Sequence, residues 1–574
     1  MLRAVDAYTG RLLWQQTFED LGTYYDNTAH QPGANEIGSN YVSVPDGIYV
    51  AYGRQCLRLD PETGETKERI ALPQNDPGLA GARWGYLGVD GDLLIATALP
   101  LGIEFVQGAK GKDNALALKD ASVQWNARYG AGSKWLVVMD RHAGKRRDEA
   151  KVLWTREAQA NFRHNAIAAG GGTVFCIDGL SEARAGALRR RGMAGDTVPT
   201  LYALDGRTGR VVWKTDTDVR GTWLGYSGEH DVLLVAGSRA RDRALDEVDK
   251  GLAAYRGRDG QVLWTSDEAY EGPCMIHGAR VIAQGKAFSL LTGKPEHRRH
   301  PLTGEAVPWR YGRNYGCNTA IASRHLILFR SAAAGYYDLE HDGGTGNMGG
   351  FKSGCTSNLI PACGILSAPD YTRTCTCSYQ NQCSVAFVHD PEVETWTFSS
   401  VGSGKEPLRR VGLNFGAPGD RLSAAGTLWL DWPSVGGPSP NLSVKVQPAG
   451  PKRFRHHMSS IETGELKWVA ASGLEGVESL TIRLGGRAAA PRSYTVRLHF
   501  AEPAAGAKAG DRVFTVGLQG DEVLKDFDIA EAAGGPRRAV VKEFRSVEAA
   551  ADLAVAFSAK KGEPLICGIE VVAD

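Results

Sequence analysis

One pattern, repeated along the chain, decides most of what this sequence can fold into. Residues 2–14 read LRAVDAYTGRLLW, and LYALDGRTGRVVW (201–213) and LAAYRGRDGQVLW (252–264) are variants of the same unit. CLRLDPETGE (56–65) and FSLLTGK (288–294) are weaker copies, and LVVMDRHAGKRRDEAKVLW (136–154) carries an insertion. Each unit is a strand, a tight D-x-x-T-G turn and a second strand that usually closes on Trp. The Asp side chain holds backbone N–H groups of the turn, Thr reinforces it, and Gly supplies the positive φ. Trp14, Trp154, Trp213 and Trp264 are expected to pack on a neighbouring unit.

The segments between these hairpins correspond as well. A polar or small cluster comes first, then an apolar strand, a Gly or Asp turn, and another strand. The clusters begin at Gly38-Ser-Asn40, Arg83-Trp84-Gly85, Arg163-His164-Asn165, Gly221-Thr-Trp223, Gly272-Pro-Cys274, Gly316-Cys317-Asn318 and Gly354-Cys-Thr356. Seven clusters, each leading an antiparallel unit of four strands, predict an all-β chain whose first part is a β-propeller. A β-helix would show a shorter repeat, and paired sandwiches would not hold Trp at a fixed offset from the turn. Residues 2–14 are the outer hairpin of a blade whose inner strands are expected ahead of Met1. The expectation is therefore an eight-bladed type of propeller, N-terminally incomplete, with seven full blades plus that hairpin, and Met1 as an internal start.

Composition agrees. Gly makes up 71 of 574 residues, about 12% against a usual ~7%, without the G-x-y period of collagen. With 66 basic and 65 acidic residues the formal charge is +1, and 43% of residues are hydrophobic, so the chain is neither disordered nor basic enough to advertise a nucleic-acid surface. No apolar run approaches the ~18 residues of a membrane span, and the residues after Met1 read as folded sequence, so a secretory leader is expected upstream of Met1, lost by truncation.

The A-x-D-x-x-T-G-x-x-x-W unit resembles the pyrroloquinoline-quinone-type (PQQ-like) propeller repeat over roughly residues 1–400. That resemblance implies either a quinoprotein alcohol dehydrogenase or a cofactor-free scaffold such as the outer-membrane assembly lipoproteins; the repeat specifies fold better than function. Active dehydrogenases of this kind imply a vicinal Cys–Cys pair on the quinone, a Trp floor, Ca²⁺ held by Glu, Asn and Asp, and an Asp base. Here Cys375 and Cys377 are separated by Thr376, the clusters offer Asn but few carboxylates, and no C-x-x-C-H haem signature occurs. No cofactor and no metal is therefore expected. PQQ with calcium stays as the alternative.

Propeller geometry sorts the residues. The turn before the innermost strand of a blade and the loop between its second and third strands share one face, whereas the D-x-x-T-G turns lie on the other. The first face collects Trp84, Arg163, His164, Asn165, Trp223, Cys274, Cys317, Asn318, Cys355 and Asn358. Tyr371, Arg373, Gln380 and Asn381 reach it from the loop 368–382, and FRSAAAGYYD (329–338) is expected as a second loop there. Arg and amide groups suit a carboxylate-rich or hydroxyl-rich ligand, and Trp84 and Trp223 a flat or pyranose ring. The same residues equally serve to pin blade tips together. Cys355, Cys363, Cys375, Cys377 and Cys383 allow three readings: disulfides bracing one long loop of an exported protein, a thiolate metal site with His164 or His277, or small buried hydrophobes.

After Trp396 the repeat stops. GSGKEPLRR (402–410) reads as part of a linker over 401–410, which divides a propeller (1–400) from a second module (411–574). SYTVRLHFAE (493–502), RVFTVGLQG (512–520), AVVKEF (539–544) and ADLAVAFSA (551–559) alternate as the strands of a β-sandwich do. YTVRLHFAE, with GDRVFTVGLQGDEVLKDFDI and the closing PLICGIEVV, resembles a malectin-like domain over 490–574, and LNFGAPGDR with GTLWLDWPSVGG (413–437) supplies its opening strands. The resemblance implies carbohydrate binding by aromatic and acidic groups. Phe415, Trp429 and Trp432 are the stacking candidates, and Asp420 and Asp431 the hydroxyl partners, with a core role for the tryptophans weighed equally.

Two functions follow. One is an exported, periplasmic or extracellular binding or scaffold protein without catalysis, its ring contacting a small ligand or proteins and its sandwich a carbohydrate. The other is an oxidoreductase or glycan-processing enzyme acting on an alcohol or sugar at the channel mouth.

Overall fold

The computed structural model describes residues 2–18, 41–100, 104–105, 116–117, 132–143, 150–180, 182–190, 192, 198–237, 239, 248–313, 319–331, 333–349, 359–368, 385–388, 390, 393–402, 404, 406–485 and 490–574. Regular structure among them is strand, apart from short helices at Glu182–Arg189, Met458–Ser460, Lys467–Ala470 and Ile529–Ala533.

The repeated turn forms as its residues dictate. The Asp6 carboxylate accepts from the N–H groups of Tyr8 and Thr9 (3.1 and 2.8 Å) and from the Thr9 hydroxyl (2.7 Å). Asp205 does the same with Arg207, Thr208 and the Thr208 hydroxyl at 3.2, 2.8 and 2.7 Å. The Trp that ends each unit docks on the next unit's turn. Trp14 donates its indole N–H to the Pro61 carbonyl (2.9 Å), Trp154 to Gly206 (2.9 Å), Trp213 to Gly257 (2.7 Å) and Trp264 to Leu290 (2.8 Å). In each case the ring covers the turn glycine: a Cβ on Gly64, Gly209, Gly260 or Gly293 would sit 2.4–2.6 Å from an atom of it. The motif thus encodes the turn and the contact between consecutive units together.

These hairpins are the outer halves of consecutive antiparallel sheets. Tyr41–Val44, Gly47–Tyr52, Gln55–Leu59 and Thr66–Ala71 form one four-stranded sheet, and Trp223–Ser227, Val232–Ala236, Lys250–Arg256 and Val262–Ala269 another. Between them, Lys151–Gly170 runs for 20 residues as the outer strand of one unit and the first strand of the next, fusing the two into a seven-stranded sheet. First strands of successive units touch one another: Tyr41–Val44 meets Trp84–Asp90, which meets Lys151–Gly170, then Trp223–Ser227, Met275–His277 and Ile321–Ala322. Blades of a propeller stand in that relation, inner strands adjacent about a common axis. At the other end of the series, the Tyr8 hydroxyl of the N-terminal hairpin donates to the Cys363 carbonyl (2.9 Å), beside the sheet Ile360–Ala362, Ile365–Ala368 and Val385–Val388.

From Arg410 onward two sheets face each other. The first orders Arg421–Leu422, Leu428–Trp432, Arg410–Phe415, Gly568–Ala573, Arg492–Phe500 and Val540–Ala549; the second orders Val444–Gln447, Ser479–Arg483, Asp552–Lys561, Val513–Leu518 and Asp521–Asp528. Leu413, Val496, Leu498 and Ile569 from the first close on Leu480, Ile482, Phe514, Val516 and Val555 from the second in one core. Strand periodicity of two produces this: in Arg492–Phe500, Tyr494, Val496 and Leu498 are buried while Arg497 between them pairs with Glu543 and Glu570 on the outer side.

Ring and sandwich are joined by side chains the sequence did not single out. The hairpin His297–Arg299 and Ala306–Pro308 projects from the ring, and Leu302 at its tip belongs to the sandwich core. The Leu302 carbonyl accepts from Arg409 and Arg410 (2.7 and 3.1 Å). A second contact has Trp396 edge-on to Trp468 (6.0 Å between centroids), with the Arg421 guanidinium over both rings at 5.9 and 5.0 Å. Glu394 accepts from the Met458 N–H (2.5 Å).

Candidate functional site

The mouth clusters fall where the geometry requires. Trp84 and Trp223 open the first strands Trp84–Asp90 and Trp223–Ser227, and Cys274 precedes Met275–His277. Arg163, His164 and Asn165 lie where the chain passes from an outer to an inner strand: Arg163 is still paired with Gly132, and pairing with Thr173–Asp178 skips from Phe162↔Asp178 to Ile167↔Cys176. The Asp178 carboxylate stabilises the approach to this passage by accepting from the N–H groups of Gln159, Ala160 and Asn161 at 2.7, 3.0 and 3.0 Å.

Burial then separates the candidates. Trp84 is 3% exposed and packs with Leu79, Leu87 and Leu94, so its faces are closed to a ligand, correcting the stacking role expected for it. Arg163 and His164 are 2% and 3% exposed. His164 Nε2 lies 2.8 Å from Ser133 Oγ and 3.1 Å from Thr97 Oγ1, and Ser133 donates to Thr97 (3.0 Å). Only alternating strand patterns signal Thr97 and Ser133, so they were not recognisable beforehand. Asn165 and Trp223 remain half-buried. Cys317, Asn318, Asn358, Tyr371, Arg373, Gln380 and Asn381 lie outside the described residues.

Two expectations about the loops change. Residues 329–331 and 333–338 are not a loop but belong to the paired strands Leu326–Ser331 and Ala333–Asp338, with Phe329 opposite Gly335. The helix Glu182–Arg189 stands instead between the second and third strands of its unit, Thr173–Asp178 and Thr200–Asp205, on the same face as the clusters. Cys363 is a free, exposed thiol in a left-handed turn (φ +55°) between Ile360–Ala362 and Ile365–Ala368. Cys355, Cys375, Cys377 and Cys383 lie outside the described residues. Burial pushes the thiols of Cys176, Cys274 and Cys567 up to about 12, which keeps them protonated and unreactive. His277 directs Nε2 at the Arg324 carbonyl (2.9 Å), and among the described residues no three His, Cys, Asp or Glu side chains converge as a metal site.

In the sandwich, Phe415, Trp429 and Asp420 are wholly enclosed and Asp431 is 6% exposed. Trp429 stands edge-on to Trp468 and to His499, at 5.8 and 5.0 Å, and Phe415 edge-on to Trp432 at 5.9 Å. Rings with no free face cannot stack on a sugar, so Phe415 and Trp429 are core, and of the three only Trp432 is partly accessible. Asp420 accepts from the N–H of Ser399 (3.1 Å) and the hydroxyl of Ser439 (2.6 Å), tying the end of the ring segment to the sandwich rather than presenting a carboxylate to a hydroxyl ligand. Burial raises both Asp420 and Asp431 above the usual carboxylate range, and Asp431 is occupied by the Val435 N–H at 2.7 Å.

The fold and these positions define an all-β protein of propeller-type ring and facing-sheet sandwich, and comparison with known proteins places each part. Residues 145–307 match the family model described as outer membrane protein assembly factor BamB, and residues 489–569 match the malectin domain model. Both resemblances drawn from the sequence are thereby met. No curated protein sequence matches the chain. Among solved structures, BamB from Moraxella catarrhalis is similar at 14% identity and a TM-score of 0.35, over 63% of this chain and 87% of that one. A β-glucuronidase from Bacteroides uniformis is similar at 14% identity and a TM-score of 0.26, over 46% of this chain and 29% of that one. The ANX2 ectodomain from Arabidopsis thaliana is similar at 16% identity and a TM-score of 0.22, over 29% of this chain and 42% of that one. No helix of the described residues is long and apolar enough to cross a membrane.

Proposed function

We propose that the protein is an extracytoplasmic binding or scaffold protein without catalysis. In this reading residues 1–400 form an eight-bladed type of ring that contacts a ligand or partner protein through its mouth face. Residues 411–574 form a malectin-like sandwich that binds carbohydrate. The observation that carries it is the pairing of a segment matching an assembly-factor propeller with one matching a malectin domain, joined through a shared core at Leu302. Malectin-type modules bind glycans, and a propeller fused to one would present that module on a fixed platform.

The reading includes no quinone and no metal. Hard Ca²⁺ takes charged oxygen ligands, whereas Asp178, beside the Arg163 cluster, is engaged by three backbone N–H groups, and Cys274 is a buried thiol rather than a quinone platform. The test is a glycan array probed with the full chain, read beside its Trp432→Ala variant. Binding that the variant weakens about tenfold or more is expected, and a blank array for the native chain would remove the carbohydrate reading. Reconstitution with PQQ and Ca²⁺ is expected to leave the quinone spectrum unchanged. A spectral shift with dye-linked sugar oxidation would replace the proposal with the quinoprotein alternative.

A further inference from the structure

The hairpin that plugs the ring into the sandwich closes on the repeated turn with one residue changed. HPLTGEAVPW (300–309) keeps the Thr and Gly of D-x-x-T-G at their spacing, with His300 where Asp stands elsewhere and the Trp one residue later, at 309. The backbone turn is the same: His300 N–H donates to Glu305 and Gly304 N–H to His300, both at 2.8 Å. His300 Nδ1 takes over the carboxylate's task, accepting from the N–H groups of Leu302 and Thr303 at 3.2 and 3.3 Å. Its Nε2 then carries the proton and donates to the Gly402 carbonyl (3.3 Å), a residue of the segment leading to the sandwich.

Only one protonation state satisfies all three contacts. A proton added at Nδ1 would replace an acceptor with a donor in front of two N–H groups, inside a site 1% exposed. That turn holds Leu302 in the sandwich core and presents the carbonyl bonded by Arg409 and Arg410. We propose that His300 is an acid-released clasp: neutral, it locks the ring hairpin to the sandwich, and protonated, it lets the two separate.

The surroundings favour the neutral form. Burial, the largest influence, lowers the affinity of His300 for a proton, and Arg298 acts in the same direction, while Glu305 and the carbonyls of Gly402 and Val401 oppose them. Arg298 is held by the Tyr337 hydroxyl (2.7 Å), Glu305 accepts from the Glu406 N–H (3.1 Å), and the Arg409 side chain runs beside Gly304. With the closed form titrating below 6.5, the open form binds more protons as the pH falls through that value, so closure weakens in acid. An open-form value of 6.5 sets the ceiling: opening increases by up to about 30-fold between pH 7.5 and 5.

Hydrogen exchange of the full chain at the two pH values, corrected for intrinsic rates, reads this opening in peptides covering 297–308 and 401–410. The native chain is expected to open at least several-fold more at pH 5. The variant His300→Asp, which restores the residue used at Asp6 and Asp205, should respond much less. Equal protection at both pH values in the native chain, or an undiminished response in His300→Asp, overturns the clasp. If His300→Asp fails to fold, the His300 imidazole resonances of the native chain decide the matter. A pKa below 6.5 with the Nε2–H tautomer supports the clasp, and a pKa at or above 6.5 overturns it.

Discussion

Glycine in the repeated turn answers two demands, and they can be separated by substitution. Gly10 and Gly260 both have left-handed backbones (φ +69° and +73°), but nothing lies within 4 Å of a Cβ on Gly10, whereas one on Gly260 would meet the Trp213 ring at 2.6 Å. Gly10→Ala should therefore cost about 1 kcal/mol, the backbone term alone. Gly260→Ala should cost roughly 2–4 kcal/mol, because the indole must also move and loosen its bond to Gly257. Denaturant midpoints of the two variants check the difference. At this scale the sequence was informative about the motif and silent about its geometry: T-G and W stand a fixed distance apart, but nothing in that spacing says which unit's Trp covers which unit's Gly. Phe415 and Trp429 mark the opposite limit. An aromatic residue in an alternating strand reads the same whether its face is wet or dry, and only the assembled sandwich buries these two.

Among elements, the turns carry a common sign of pH dependence. Hydrogen bonds from Thr9, from Lys67 and from Thr208 head the influences that hold Asp6, Asp60 and Asp205 below the usual carboxylate value. A carboxylate with a lowered folded pKa contributes stability above about pH 3.8 and loses it as the pH falls further, so the melting temperature should drop on acidification below pH 4. Asp205→Asn should lower the melting temperature at pH 7 and flatten part of that acid drop. These turns lie well exposed, so the effect per turn is small and the series matters more than any member. The hairpin His297–Pro308 shows what concealed an element: with His300 in place of Asp and Trp309 one residue beyond the usual spacing, HPLTGEAVPW does not register as a copy although its Thr and Gly are in place. The helix Glu182–Arg189 was hidden for a different reason, since its arginines read equally well as a solvated loop.

For the molecule as a whole, the position of Leu302 makes an expectation about cooperativity. A residue of the ring that completes the sandwich core couples the unfolding of both, so calorimetry near pH 7.5 should give one endotherm, and Leu302→Ala, at a cost of about 2–5 kcal/mol, should split it in two. Two endotherms in the native chain would contradict the coupling. The ring and the sandwich were each legible because strand period and turn chemistry are local; their junction was not, because Leu302 reaches the sandwich core, and Trp396 reaches Arg421 and Trp468, only across long stretches of chain. The strand Lys151–Gly170 carries a mechanical consequence. At other seams neighbouring blades are held by side chains such as Trp213 on Gly260 and by single backbone bonds such as that from the Trp84 N–H to the Gly53 carbonyl (2.8 Å). Where the long strand crosses, backbone bonds on both sides of one unbroken segment splice two blades into a single plate. Among the described residues this seam is the stiff one, and strain reaching it is passed on to the neighbouring seams.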